Sequence, residues 1–249
     1  MTVRRLRTRG DVVAATSGHP YARFATAHSE IATGVADGRC VIWLNTTHFG
    51  PIGHALGPLL AVADRLATAD VEVLSGARWI NLPRHGLAER PPGFVFNEEW
   101  DLRWSVSPPA PQPGEDHVVP LREDGDAEAI NELLDTVMPD SPVRPGTGLP
   151  RQFFGVWEGS TLIACGADRS SPLPHRAGDT VGVVGAIAVD PGHRRRGWGA
   201  AVTAAITRYL ALRHPLVVLG QAAGNDSATR LYPRLGYTGV LHLTSVRPA

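Results

Sequence analysis

The chain has 249 residues, 43% of them hydrophobic, so it is long enough to bury a sizeable core in one large or two small domains. Its 24 basic and 24 acidic residues balance, which argues against a general nucleic-acid binder, because such binding needs many uncompensated basic contacts. No run of apolar residues is long enough for a membrane span, and the amino terminus lacks the apolar segment of a secretory signal. We therefore expect a cytoplasmic protein that contacts neither membranes nor nucleic acid.

The first part of the chain, up to about Val106, has the pattern of a small α/β unit. Thr47–Gly53, which contains two glycines, is interpreted as a loop between a strand and a helix. The predicted elements are a strand at Cys40–Leu44, a helix at Leu56–Ala69, a strand at Val71–Leu74, and further strand material at Phe94–Phe96 and Trp100–Val106.

A group of aromatic and acidic residues near the end of this unit allows two interpretations. It forms either the lining of an acceptor site for a cationic amine or a strand with core aromatics and solvated carboxylates. The group consists of Phe94, Phe96, Glu98, Glu99, Trp100 and Asp101.

A proline-rich stretch then marks a domain boundary. Ser107–Gly114 holds four prolines in eight residues, a composition that favours a semi-rigid linker over a packed element. We predict an amino-terminal α/β domain over residues 1–107, a linker over 108–116 and a second domain over 117–249.

The second domain is predicted to alternate strands and helices. Cys40 in the first domain and Cys165 in the second both lie in apolar runs and are expected to be buried free thiols, with no metal site. The predicted elements are a strand at Val118–Leu121, a helix at Asp126–Val137, a loop at Met138–Pro150, a hairpin of Phe153–Trp157 and Thr161–Ala167, a loop at Ser170–Asp179, a strand at Val181–Val189, a helix at Ala200–Leu210 and a strand at Leu216–Leu219.

The junction between the strand at Val181–Val189 and the helix that follows is the most informative stretch. Asp190-Pro191-Gly192 must turn the chain, because proline fixes φ and glycine accepts positive φ. Arg194–Gly199 then reads R-x-x-G-x-G at a helix start, where unpaired N–H groups, glycines and arginines favour an anion such as phosphate. A glycine-rich turn with solvated arginines is the alternative.

A second motif lies downstream, at Asn225–Tyr237. Asn225 and Asp226 are suited to cap a helix, and Gly236 is suited to end it. Helix physics does not explain why Tyr232 stands directly before the helix breaker Pro233.

Together, R-x-x-G-x-G and the N-x-x-A-x-x-L-Y-x-x-L-G-[FY] pattern at Asn225–Tyr237 resemble the two cofactor motifs of the GNAT superfamily of acetyl-CoA-dependent N-acetyltransferases. The resemblance covers about His117–Arg247 and implies a mixed-sheet α/β (α+β) GNAT domain. The amino-terminal unit is then a smaller α/β domain, and we hypothesise that it is a degenerate GNAT copy. The chain departs from the family pattern at Pro139–Pro150, at Pro233 and in its short last strand.

The resemblance also implies roles for individual residues. The backbone of Ile187, Ala188 and Val189 would bind the pantetheine arm, and Tyr232 would stand near the thioester sulfur as general acid. The remaining cofactor-binding residues would be Arg194, Arg195, Arg196, Gly197, Trp198, Gly199 and Ala200 around the pyrophosphate, together with Asn225.

This chemistry needs a neutral amine, support for the developing oxyanion and an acid for the departing thiolate. The N–H of Val189 is the expected oxyanion donor. No base is assigned; the carboxylates and imidazoles near the motifs are interpreted as surface residues. They are Glu158, Asp168, Asp190, His175 and His193.

Two functions follow. The first is an enzyme that moves the acetyl group of acetyl-CoA to an amine of a small molecule or peptide. The second is a catalytically silent acyl-CoA-binding sensor or interaction module. The acceptor stays open, as does the choice between monomer and homodimer.

Overall fold

A computed structural model of the protein describes residues 3–27, 29–67, 73–84, 93–171 and 180–249. The chain divides into two compact units. The first unit combines Met1–Leu102 with Gln221–Asn225 and Val240–Ala249, and the second combines Arg103–Gly220 with Asp226–Gly239. We predicted that residues 108–116 link two independently folding domains. This division stays a prediction. No helix of the described part of the chain is both long and apolar enough to cross a membrane.

The described elements run in chain order as follows. They are β1 (Arg4–Leu6), α1 (Arg9–Ala15), α2 (Pro20–Ala25), β2 (Glu30–Ala36), β3 (Val41–Thr47), β4 (Gly50–Leu56), α3 (Leu59–Leu66), β5 (Trp79–Pro83), β6 (Phe94–Ser105), β7 (Val119–Leu121), α4 (Glu123–Val137), β8 (Gln152–Glu158), β9 (Thr161–Asp168), β10 (Gly182–Val189), α5 (Trp198–Ala211), β11 (Val217–Ala222), α6 (Asp226–Arg234) and β12 (Gly239–Pro248).

Each unit builds its sheet on the same plan. In the first unit β1, β2, β3 and β4 are antiparallel neighbours, and β5 lies parallel to β4. In the second unit β7, β8, β9 and β10 are antiparallel neighbours, and β11 lies parallel to β10. The predicted mixed-sheet fold is confirmed.

The two faces of the second sheet are covered by different helices. One apolar cluster joins α5 and α6 to the sheet through Val202, Ile206 and Tyr232. Another joins α4 to the sheet through Ile130 and Leu134. The apolar residues of α4 and α5 recur at helical spacing, so each helix buries one stripe against the sheet.

The predictions for the second unit agree closely with the structure. The strand, hairpin and helix positions are confirmed to within a few residues, and residues 138–151 form a loop as predicted. The proline-rich segment is held against α5: Arg208 donates to Glu115 at 2.8 and 3.0 Å and to the carbonyl of Pro109 at 2.9 Å.

Several predictions for the first unit are wrong. Thr47–Gly53 is not an open loop, because a tight turn at Thr47–Gly50 leads directly into β4. Gly53 lies in that strand for a packing reason: a Cβ there would come within 2.9 Å of Ile80 and Leu74. The helix predicted from Leu56 begins at Leu59, and Phe94–Ser105 is one continuous strand.

The predicted strand at Val71–Leu74 is also wrong for its last two residues. Residues 71 and 72 lie outside the described part of the chain, and Val73 and Leu74 form a helical turn. The strand of this region is β5, which begins at Trp79. The short helices α1 and α2 were not predicted. Each spans fewer than two turns, which is too short to show a helical periodicity of apolar residues.

Candidate active site

The end of β10 leaves part of its backbone edge open. β10 and β11 pair only from Gly182–Val184 to Val217–Leu219, although β10 continues to Val189. On the other edge, β10 pairs with β9 through a bulge between Gly185 and Ala188. The site therefore has a strand edge on which an extended ligand can pair.

The direction of the open backbone groups follows from the pairing with β9. The N–H of Asp190 donates to the carbonyl of Ile163 on β9 at 2.9 Å. Successive residues of a strand direct their backbone groups to opposite sides, so the N–H groups of Val189 and Ile187 point away from β9. Sequence reasoning placed Ile187, Ala188 and Val189 at this edge, but only Ile187 and Val189 turn their backbone groups to its open side.

Strained backbone concentrates at this site. Of the described non-glycine residues, Ser17, Ala186 and Arg195 have positive φ, and the last two flank the end of β10. Ala186 lies in the bulge with φ of 50°, and Arg195 lies in the loop with φ of 61°. Gly197, with φ of 93°, begins α5. Such conformations persist where the surrounding structure holds them, and they recur at ligand sites.

The loop at residues 194–197 presents positive charge at the start of α5. The N–H groups of Ala200 and Ala201 both bond to the carbonyl of Gly197, so the N–H groups before Ala200 have no acceptor within the helix. Arg195 and Arg196 are exposed and form no ion pair with a described residue. These groups, with the helix dipole, favour the binding of an anion.

Two predicted loop residues have contacts of their own. Arg194 Nε donates to the carbonyl of Val189 at 3.3 Å, which ties the loop to the strand end. The Trp198 ring packs against the segment before β7, because a Cβ on Gly114 would lie 2.8 Å from that ring and the imidazole of His117 meets it edge-on. We interpret Trp198 as an anchor of α5.

Gly199 brings the predicted motifs together. A Cβ at this position would lie 3.7 Å from Val189 Cγ2 and 3.8 Å from Leu231 Cδ2. The helix start thus contacts both the end of β10 and the residue next to Tyr232. Residues of the two motifs, which are separated by 25 residues in the chain, therefore meet within the second unit.

Tyr232 and Tyr237 differ in what their hydroxyls do. Tyr237 is fully buried, and its hydroxyl lies 2.6 Å from Thr207 Oγ1. Tyr232 is 8% exposed, its ring centroid is 6.0 Å from that of Tyr237, and its hydroxyl bonds to no described residue. Burial raises the pKa of Tyr232 to about 12, so its proton is retained at neutral pH.

Asn225 lies directly before α6, and its N–H bonds to the carbonyl of Ala222 at 3.1 Å. It belongs to the first unit, whereas α6 belongs to the second. A contact between Asn225 and the cofactor stays a prediction.

The candidate bases are bound into structural contacts. His193 lies 2.7 Å from Asp190 and 2.9 Å from Glu158, and these two contacts raise the pKa of its imidazole. Asp168 accepts from the N–H of Ser170 at 2.7 Å. His175 lies outside the described residues. No base is assigned by these contacts.

The acidic cluster of the first unit has its own cations. Asp101 is buried and accepts from Arg84 at 2.8 Å and from His242 at 2.7 Å, and Arg84 also donates to Glu99 at 3.0 Å. Asp101 is therefore neither solvated nor free for a cationic amine. Sequence reasoning missed these partners because they stand 17 and 141 positions away along the chain.

Two further features bear on the predicted site. The first unit contains a cavity of about 370 Å³ beside Thr16, His19, Arg39 and Leu56, and no predicted site residue lines it. Among the described residues, no group of histidine, cysteine and acidic side chains is arranged to hold a metal. Cys40 and Cys165 are buried free thiols, as predicted.

Comparisons with known proteins agree with this geometry. The family model described as FR47-like protein matches residues 175–246, which span β10 to β12. A GNAT-family protein from Novosphingobium aromaticivorans is 23% identical, with 96% of this chain and 97% of that chain covered and a TM-score of 0.55. A GCN5-related N-acetyltransferase from Kribbella flavida is 19% identical, with 95% of both chains covered and a TM-score of 0.55.

A GCN5-related N-acetyltransferase from Sphaerobacter thermophilus is 13% identical, with 99% of this chain and 96% of that chain covered and a TM-score of 0.56. The search of curated proteins returned no significant match. The family match over this part of the chain and the shared fold confirm the predicted GNAT-like fold.

Proposed function

We propose that the protein is an acetyl-CoA-dependent N-acetyltransferase that acts on a primary amine of a small molecule or peptide. The observation that carries the proposal is the meeting of three features in the second unit. They are the open edge of β10, the cationic loop at the start of α5, and the hydroxyl of Tyr232, which no described residue engages.

The residues of the second unit suit a CoA thioester in shape and charge. Arg195, Arg196 and the first N–H groups of α5 would hold the pyrophosphate. Backbone groups of Ile187 and Val189 on the open edge would pair with the amides of the pantetheine arm, apart from the one N–H group that donates to the acetyl carbonyl. Acetyl-CoA supplies the acetyl group as a substrate, and no metal is needed for this chemistry.

Backbone groups at the same edge would polarise the acetyl carbonyl. An N–H donor fixed in a strand is already oriented, so it stabilises the charge that develops on oxygen without reorganisation. The N–H of Val189, the predicted donor, and that of Ile187 are the two that face this edge. This arrangement explains how carbonyl activation is possible without a charged side chain.

Tyr232 would complete the transfer as general acid. The amine nitrogen forms a bond to the carbonyl carbon while the bond from carbon to sulfur breaks, and Tyr232 gives its proton to the departing thiolate. The amine loses one proton to water and the phenol regains one. A phenol whose pKa is about 12 keeps this proton at neutral pH.

A thiol-release assay with acetyl-CoA and a panel of amines tests the proposal, with CoA binding measured by calorimetry on the same preparation. We expect CoA to bind and at least one amine to accelerate thiol release. If CoA binds and no amine in a broad panel does so, the protein is instead a silent acyl-CoA-binding module.

A further inference from the structure

Arg169 lies directly across the strand that carries the open edge. Its N–H donates to the carbonyl of Val183 at 2.7 Å, just beyond the end of β9. Its side chain covers Gly185 so closely that a Cβ there would lie 2.4 Å from Arg169 Cδ and 3.5 Å from Nε. The glycine therefore makes room for the arginine, and this contact fixes the path of the side chain.

Arg169 is a half-buried cation that has no counter-ion among the described residues. Its Nε is buried and has no hydrogen-bond partner, and the side chain forms no ion pair with a described residue. Burial lowers the pKa of its guanidinium, with no neighbouring carboxylate to offset the effect. Two other arginines of this unit are paired: Arg208 bonds to Glu115 and Arg144 to Asp135.

Arg169 lies close to the path that we propose for the pantetheine arm, on the side where the acceptor would bind. Gly185 immediately precedes Ala186 in the bulge of β10, on the side away from the cationic loop. A pantetheine arm that starts at that loop and follows the edge of β10 carries its thioester toward the bulge. Alternation along β9 places Arg169 on the face of Cys165 and Ala167, which is covered by α4.

A partly desolvated charge without a partner lowers stability unless a ligand compensates for it. When the Nε of a guanidinium is buried, its two terminal nitrogens can still donate hydrogen bonds. Together they form a bidentate contact with the two oxygens of a planar anion such as a carboxylate. Because Arg169 contacts Gly185, next to the bulge, its guanidinium is placed to bind an anionic group of the acceptor.

We propose that Arg169 binds a carboxylate of the acceptor, so that the enzyme acetylates amines that also carry an acid group. This inference rests on the proposed function and narrows its substrate class. Arg169 is a specificity residue, because it binds the acceptor at a distance from the atoms that react.

The test uses the full chain and matched amines that differ in one group. Glycine, β-alanine and 4-aminobutyrate are each compared with their primary amides, and 2-aminoethyl phosphate with ethanolamine, which separates carboxylate from phosphate. The variants are Arg169→Met, Arg169→Lys and the control Arg151→Met, which removes an equal charge from a side chain that bonds to the carbonyl of Ser171. KM, kcat and the thermal midpoint are measured, together with the midpoint shift that each amine causes with CoA present.

The wild-type protein is expected to prefer an acid over its amide. Arg169→Met should raise KM for that acid by about 10- to 100-fold, the range for a hydrogen bond to a charged group, with little change for the amide. Its thermal midpoint should stay equal or rise, because no internal partner is lost. Arg169→Lys should restore part of the preference, and Arg151→Met should retain it.

The failures of the two proposals are distinguishable. If no amine releases thiol but an acid still raises the midpoint only when Arg169 is present, the transferase proposal fails and the anion site stands. If acids and amides are equivalent in both rate and midpoint shift, or Arg169→Met lowers the midpoint and weakens both alike, Arg169 is structural and the inference is overturned. A preference for the phosphate over all carboxylates would overturn the assigned group.

Discussion

At the scale of single residues, the two tyrosines at the end of the second motif have different roles: we propose that Tyr232 serves catalysis and that Tyr237 serves stability. Tyr232 has no hydroxyl partner among the described residues, whereas Tyr237 bonds to Thr207. We predict that Tyr232→Phe lowers kcat about 100-fold or more, the usual contribution of a general acid, and leaves CoA affinity and the thermal midpoint unchanged. Thiol-release kinetics and calorimetry measure these quantities.

Tyr237→Phe is the matched control for that substitution. It removes the same atom but breaks a buried hydrogen bond, so it should lower the free energy of unfolding by about 0.5–1.5 kcal/mol while kcat stays close to wild type. Equal kcat values for Tyr232→Phe and wild type would remove Tyr232 from the mechanism. The sequence motif pointed to Tyr232, but only the structure shows that its hydroxyl is left available.

At the scale of elements, His193 joins the turn after β10 to the end of β8. Its folded pKa is raised first by Asp190 and then by Glu158, so its contribution to stability is complete below its unfolded pKa of 6.5 and is lost as pH rises through the folded value. The pKa of Asp190 is lowered first by His193, so its share is present above 3.8 and is lost on acidification through its folded value.

The contact between His193 and Asp190 therefore stabilises the folded state most between pH 3.8 and pH 6.5, the two unfolded pKa values. We predict that His193→Gln lowers the thermal midpoint most within that range, and that the difference from wild type shrinks at alkaline pH. Melting curves across pH measure this, with His48→Gln as control, since no carboxylate of the described residues contacts that imidazole. A difference that is constant with pH would contradict the assignment.

Close packing between β9 and α5 depends on a glycine, Gly166, in β9. A Cβ on Gly166 would lie 2.5 Å from Ile187 Cδ1 and 2.8 Å from Ile206 Cδ1. Gly166→Ala should therefore lower the free energy of unfolding by about 1–3 kcal/mol through overpacking. Chemical denaturation measures it.

Gly125 in α4 provides the opposite case, because a Cβ there meets nothing closer than 3.9 Å. Gly125→Ala should raise the free energy of unfolding by about 0.5–1 kcal/mol, since alanine loses less backbone entropy in a helix. If both alanines act in the same direction, close packing is not the reason for Gly166.

At the scale of the whole molecule, the last strand is structurally part of the first unit. β12 pairs antiparallel with β5 and buries Leu243 and Val246. Deleting residues 240–249 should therefore remove one of the two partner strands of β5 and sharply lower the thermal midpoint or abolish soluble expression. Deleting only the exposed residues 247–249 should have little effect; a similar loss from both would show that chain length matters and the pairing does not.

The hypothesis of a degenerate GNAT copy also belongs to this scale. Four antiparallel strands followed by one parallel strand occur in the same order in both units. This shared order supports the hypothesis, which stays a prediction. The first unit lacks the cationic R-x-x-G-x-G loop at the corresponding place.

The sequence by itself determined the elements of the second unit and the two motifs, because strand and helix periodicity, proline and glycine act locally. The same local rules misplaced β4 and β5, because the position of Gly53 in β4 depends on its packing partners Ile80 and Leu74. Only the tertiary structure decided the open edge of β10 and showed that, among the described residues, the hydroxyl of Tyr232 and the charge of Arg169 have no partner. Each of these depends on which distant group is present or absent beside it, and a linear pattern does not record that.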